Sequence, residues 1–325
     1  MKLIHIGLPK AASTYIQAAA QQRGDVQVLQ WHNYAQNIVH AASLKAYLRG
    51  PGESSIAPHQ PLAGAPAFVS SEELCGWAPR PVTQLEIQTY QNLVAAALKR
   101  ELAGAKVLIV TRSPLSFVDS YYNQAVKEGA SENPFVFAER WRALLLELLN
   151  YTRLCELYSS YFGASNVLVV PVELLRDDPA HFYDMIEGHA GFTLRPRSPE
   201  SIQHNRSLTS HELQAMRVLN RIVKILSADQ QGKPEQFLLP HLNSIKRSFL
   251  SYYLENDPNS MRRSQRSLRA VGVSVDKRLV STVLLEKCRT QIIGGLSGLG
   301  HHSFPSKYLS KYLAEVGGDR LMNGS

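Results

Sequence analysis

Apolar positions along this chain alternate between short unbroken runs and a helical spacing as far as about residue 192, and are mostly helical in spacing after it. Residues 2–6 read as a strand and 13–22 as a helix; "VQVLQ" (26–30) reads as a second strand, followed by a mixed helical stretch to about Leu48. "RGPGESSIAPHQPLAGAP" (49–66) is rich in Pro and Gly and has no periodic apolar face, so it reads as a long surface loop. "AFVSSEEL" supplies a strand ending at Ser70 or Ser71, with a helix over roughly 84–103. "AKVLIVTR" (105–112) is apolar and β-branched throughout, the pattern of a parallel strand buried on both faces. A helix follows at once, because Ser113 is a good N-cap and Pro114 suits the first helical position. A long helix is expected over about 134–162, a buried strand over "NVLVVPVELL" (166–175), and another helix opened by Asp178-Pro179.

Strands alternating with helices predict a parallel sheet covered on both sides. Beyond residue 192 the spacing predicts helices at 209–227, about 235–256, 276–293 and 305–316. No repeat and no linker-like stretch separates the two parts. The expectation is therefore one domain over 1–325, with an α/β core at 1–195 and a mainly helical C-terminal extension at 196–325. Its fold class is a P-loop-like three-layer α/β fold, a central parallel sheet flanked by helices.

Composition changes this picture little. Hydrophobic residues make up 44% and charged residues 19%, which supplies ample core and excludes a disordered chain. No apolar run reaches the roughly 18 residues that span a bilayer. His5 and Pro9 interrupt the first apolar stretch, leaving it too short and too polar for a signal peptide. Cys75, Cys155 and Cys288 lie far apart without a CxxC pairing, which predicts reduced thiols and a cytoplasmic protein. The net charge of +8 favours an anionic partner: nucleic acid, a small phosphorylated ligand or an acidic polymer. "MRRSQRSLR" (261–269) is the densest basic cluster; it is short, and reads as a solvated face more readily than as a polyanion contact.

Candidate chemistry starts at "GLPKAAST" (7–14), where a strand gives way to a helix. In a parallel α/β sheet ligands bind at the carboxyl ends of the strands, and a helix N-terminus there favours an anion. Gly7 lets the chain turn close to a ligand, and Ala11 and Ala12 keep the backbone accessible. Lys10 supplies charge, and Ser13 and Thr14 supply hydroxyls. This is a phosphate cradle in chemical terms, although Pro9 stands where a Walker loop needs a second Gly. "TRSPLSFVDSYYNQ" (111–124) again places a cation at a strand end with an N-capped helix behind it. Arg112 suits a bidentate phosphate contact, and Ser120, about two turns into the helix, shares a face with Ser116.

Together these two stretches resemble the PAPS-dependent sulfotransferases, which use 3′-phosphoadenosine 5′-phosphosulfate (PAPS) as donor. "PKAAST" (9–14) stands for the loop that binds the donor's 5′-phosphosulfate: Pro9, Lys10, Ala11, Ala12, Ser13 and Thr14. Arg112 and Ser120, at the family's spacing, stand for the pair that binds its 3′-phosphate. Stretches at 170–192, 205–221 and 308–325 look like bacterial, carbohydrate-type members as well. Ala12 departs from the Gly that many members have there, and the adenine contacts of other branches have no clear counterpart. The resemblance implies in-line sulfuryl transfer to a hydroxyl acceptor, a carbohydrate or glycoconjugate, with Lys10 on the leaving oxygen. It implies no metal and no nucleic-acid partner, and no transmembrane segment is expected.

An alcohol acceptor must give up a proton. Glu72 and Glu73, at the end of the "AFVSSEEL" strand, are the candidate bases; they would equally charge the first turn of a helix capped by Ser71. His5 is a rival base, but its place within a strand favours a hydrogen-bonded core histidine. Arg206 either reaches the nucleotide or an acidic acceptor, or merely enters a helix, and His301-His302 reads as loop. Two other readings keep their place: a phosphotransferase on a degenerate P-loop, which lacks an obvious Mg²⁺-binding Asp, and a non-catalytic polyanion-binding protein.

Overall fold

The computed structural model describes residues 1–8, 11–30, 66–76, 82–199, 208–228, 280–302 and 304–317. Five parallel strands form its sheet: β1 (Lys2–Gly7), β2 (Gln27–Gln30), β3 (Ala67–Ser71), β4 (Lys106–Thr111) and β5 (Val167–Pro171), in the order β2-β3-β1-β4-β5. From the second residue onward, β1 and β4 are buried throughout, as expected of apolar strands with a neighbour on each side. Register is regular: Ile6 lies opposite Ser71 on one side and Ile109 on the other, and Gly7 lies opposite Val110.

Helix α1 (Ser13–Gln21) follows β1 and packs on β2 and β3. Helix α2 (Gln84–Glu101) precedes β4, and its N-terminus is closed by a Thr83–Glu86 capping box. From β1 the chain runs past β3 to β2, whereas the crossover that carries α2 runs the opposite way, from β3 past β1 to β4. Right-handed crossovers then put α1 on one face and α2 on the opposite face, giving three layers around the sheet. The observed fold is an α/β fold with a central parallel sheet flanked by helices.

Two expected elements are revised. The segment 134–162 is not one helix but three, α4 (Pro134–Arg140), α5 (Arg142–Leu148) and α6 (Tyr151–Phe162), numbered after α3 (Pro114–Glu128). Trp141 leaves the helical region (φ −104°, ψ 9°), and Asn150 starts α6 afresh by accepting the Arg153 N–H on its side chain. The apolar run at 166–175 stops being a strand at Pro171, which has no N–H for a ladder; Val172–Asp177 is helix α7. Asp178 and Pro179 do open a helix, α8 (Pro179–Ala190), with the Asp178 carboxylate accepting the His181 N–H.

Three more helices are described: α9 (Ser210–Ala228), α10 (Val280–Ser297) and α11 (Ser306–Glu315). The helix expected at 235–256, all but Pro66 of the loop at 49–66, the helical stretch running to Leu48 and the basic cluster at 261–269 lie outside the described residues. The chain divides into two compact units, one of residues 1–118, 140–204 and 284–325, the other of 119–139 and 205–283. Within the second unit side-chain amides replace packing alone: Asn123 bonds both N–H and C=O of Leu208, and Asn220 donates to the carbonyls of Val126 and Ala130. Asp119 there accepts from Ser281 N–H and hydroxyl. Cys75, Cys155 and Cys288 are buried and not joined in disulfides. Among the described residues no helix is long and apolar enough to cross a membrane.

Candidate functional site

The strand order brings the chemistry-bearing stretches to one edge. β1, β3 and β4 are neighbours and all run the same way, so their carboxyl ends at Gly7, Ser71 and Thr111 lie side by side. Leu8, Glu72 and Arg112 therefore start from a common rim. The chain leaves β1 and β4 in opposite directions, which makes the gap between them the switch point where open α/β sheets bind ligands.

At β1 the chain turns through Leu8, buried Ala11, whose N–H donates to the Leu8 carbonyl (3.1 Å), and Ala12. Helix α1 then begins without a side-chain cap and without an acidic residue in its first turn. The N–H groups of Ser13, Thr14 and Tyr15 have no acceptor within the helix, which leaves a positive end facing the rim. Ser13 is 2% exposed and its hydroxyl has no hydrogen-bond partner. A buried hydroxyl without a partner costs about 1–3 kcal/mol unless a ligand or water satisfies it. A Cβ on Gly7 would lie 2.6 Å from that oxygen, so only glycine leaves the space open. An anion with several acceptor oxygens fits these groups. Thr14 is exposed, and Pro9 and Lys10 lie outside the described residues.

Ala12 is the one described non-glycine residue with positive φ (φ 62°, ψ 21°), a left-handed conformation that clashes with a Cβ. The Gly expected at this position of the resembled loop thus has a conformational reason. Ala12→Gly should raise stability by about 1 kcal/mol in urea denaturation, because relief of the strain exceeds the added chain entropy. An unchanged or lowered midpoint would count against the strain.

Glu72 opens a short 3-10 turn, Glu72–Leu74, directly after β3, and is half-buried; Glu73 is the next residue of that turn. The helix expected to be capped by Ser71 is thus a single turn. The buried Cys75 thiol anchors it, its single S–H shared between the carbonyls of Glu72 (3.1 Å) and Gly7 (3.2 Å), so the ends of β3 and β1 are tied together. Burial, with the Glu72 charge beside it, pushes that thiol far above its usual range and keeps it a donor. Gln91 donates to the Cys75 carbonyl (2.8 Å), and Tyr158 reaches that of Leu74 (3.4 Å).

His5 is wholly buried, stacked on Phe68, and its Nδ1 shares a 2.8 Å hydrogen bond with the Ser70 hydroxyl. Burial lowers its pKa to about 3. It is a core histidine, neutral near pH 7 and set back from the rim.

Arg112 immediately follows β4 and donates through Nε to the Ser116 hydroxyl (3.1 Å). Its own carbonyl accepts from the Tyr151 hydroxyl (2.7 Å). Ser113 closes the helix start with its carbonyl, accepting the Phe117 N–H, while its hydroxyl pairs with Glu315. Ser120 is buried on the part of α3 that belongs to the second unit. Arg206 lies outside the described residues, and His301-His302 end a 3-10 turn at Gly298–His302. Tyr151 and Glu173, which hold the Arg112–Ser113 peptide, and Tyr312, which is bonded to Glu173, were not among the candidates from sequence. Nothing local marks them, since they are brought in from distant elements.

Fold and rim define an α/β protein whose strand ends suit an anionic ligand. No protein-family model matches the sequence, and no curated protein matches it either. Among solved structures, a sulfotransferase from Alicyclobacillus acidocaldarius is similar, with 15% identity over 67% of this chain and 91% of that one, at a TM-score of 0.43.

Proposed function

We propose that the protein is a cytoplasmic sulfotransferase that moves a sulfuryl group from PAPS to a hydroxyl of a carbohydrate or glycoconjugate. The observation that carries this reading is the shared rim: the cradle loop, the Glu72 turn and Arg112, far apart in sequence, start from adjacent strand ends beside the unpartnered Ser13 hydroxyl.

PAPS supplies an activated sulfuryl group on a phosphate leaving group. Loop and first-turn N–H groups with the Ser13 hydroxyl bind the 5′ end, and Lys10 stabilises the charge that builds on the leaving oxygen. Arg112, with Ser120 as the sequence spacing pairs it, holds the 3′-phosphate. Glu72 or Glu73 takes the acceptor's proton. The acceptor oxygen forms the new S–O bond as the old one breaks, and the electron pair leaves on the 5′-phosphate. Arranging these groups at fixed distances is the protein's main contribution.

Calorimetric titration of the purified chain with 3′-phosphoadenosine 5′-phosphate, 5′-AMP and ATP tests the reading. A preference of about 100-fold for the 3′-phosphate is expected from charge-assisted hydrogen bonds, and Lys10→Ala and Arg112→Ala should each weaken binding. Preference for ATP would favour phosphoryl transfer. Indifference to nucleotide, with salt-sensitive binding of polyanions, would favour a non-catalytic binder.

A further inference from the structure

We propose that Tyr312 and Glu173 are positioning residues for Arg112, so that the C-terminal helix α11 sets how strongly the protein selects a nucleotide carrying a 3′-phosphate. This rests on the role given to Arg112 above.

The peptide joining Arg112 to Ser113 is gripped at both polar atoms. Its carbonyl accepts from the Tyr151 hydroxyl (2.7 Å), and its N–H donates to Glu173 Oε1 (2.9 Å). The other oxygen of Glu173 accepts from the Tyr312 hydroxyl (2.6 Å), and Glu315, on the same helix as Tyr312, pairs with the Ser113 hydroxyl. Tyr151 and Tyr312 are fully buried and Glu173 nearly so. Burial, reinforced by the Glu173 carboxylate, holds both phenols well above their usual range, so they remain donors at any working pH.

A peptide held at both C=O and N–H cannot rotate about its neighbouring bonds. The root of the Arg112 side chain is therefore fixed just where β4 ends, and a guanidinium on a fixed root needs less ordering to meet a phosphate. Packing alone does not require this. The apolar faces of β4 and α11 would be as well buried with a phenylalanine at 312, but Glu173 would then keep only the Ser113 N–H among these partners and could swing. The grip also joins segments 60 and 202 residues distant to Ser113, the first through its peptide N–H and the second through its hydroxyl.

The test is Tyr312→Phe in the full chain, titrated with 3′-phosphoadenosine 5′-phosphate and 5′-AMP. Affinity for the first should fall about tenfold while that for 5′-AMP stays within about twofold, the size of one lost hydrogen bond acting through a charged partner. In an Arg112→Ala background the same substitution should change neither, because the effect passes through Arg112. Glu315→Gln, at the half-exposed helix end, should shift the ratio in the same direction by less, and it stands in if Tyr312→Phe does not fold. A variant that melts earlier yet keeps the wild-type ratio overturns the proposal, as does an equal effect without Arg112. A wild-type protein with no preference for the 3′-phosphate is a different failure, visible before any variant is made, and overturns the role of Arg112 itself.

Discussion

Glu147→Ala is expected to cost about 2–3 kcal/mol in urea denaturation, because the carboxylate is buried and charge-paired while the guanidinium it leaves behind is partly hydrated. The Glu147 side chain is 0% exposed. One oxygen accepts from Arg153, and the other from Gln84 (3.1 Å) and Gln88 (3.0 Å). Alanine would leave the Arg153 guanidinium, 24% exposed, without its counter-charge and two amides without this acceptor; water reaches these groups only in part. Arg153 also donates to Gln91, which in turn holds the Cys75 carbonyl behind the Glu72 turn. The loss should therefore be felt across α2, α5 and α6 and at the rim. Glu147→Gln keeps the shape and should cost distinctly less. A loss below about 1 kcal/mol for alanine would mean that the carboxylate is effectively hydrated.

Acidification should unfold the protein through His5. Its pKa is lowered from 6.5 to about 3 in the folded chain by burial. Below pH 6.5 the unfolded chain therefore takes up a proton that the native state refuses. Stability is fully present above pH 6.5 and falls as pH drops toward 3, by up to about 1.4 kcal/mol per unit. Between pH 7 and pH 5 that amounts to about 2 kcal/mol. His5→Asn keeps a partner for Ser70 but does not titrate. It should be less stable at pH 7 and show a shallower decline with pH, and urea midpoints across pH 7 to 5 measure the difference. Equal slopes in the two proteins would show that His5 takes up its proton without leaving the core.

The strands were legible because a parallel strand buried on both faces must be apolar without interruption; β1, β3 and β4 end within a residue or two of where their apolar runs stop. Helix starts with a chemical signature were equally plain, as at Asp178-Pro179. The break-up of 134–162 was not, because its turns at Trp141 and Asn150 carry no Pro or Gly and are set by packing and one side-chain cap. The left-handed turn at Ala12 was hidden for a similar reason: alanine, unlike Gly or Asn, carries no local signal of positive φ.

Local chemistry alone thus determined the parallel α/β sheet and the anion-friendly character of 7–14 and of Arg112, because burial and helix ends act over a few residues. Only the tertiary structure decided that these stretches share one rim, since that follows from strand order. It alone decided that the Arg112–Ser113 peptide is held by Tyr151 and by Glu173, itself bonded to Tyr312. Hydrogen bonds between residues 39, 60 and 139 positions apart leave no trace in periodicity, because their partners are chosen by the path of the chain and not by their neighbours in it.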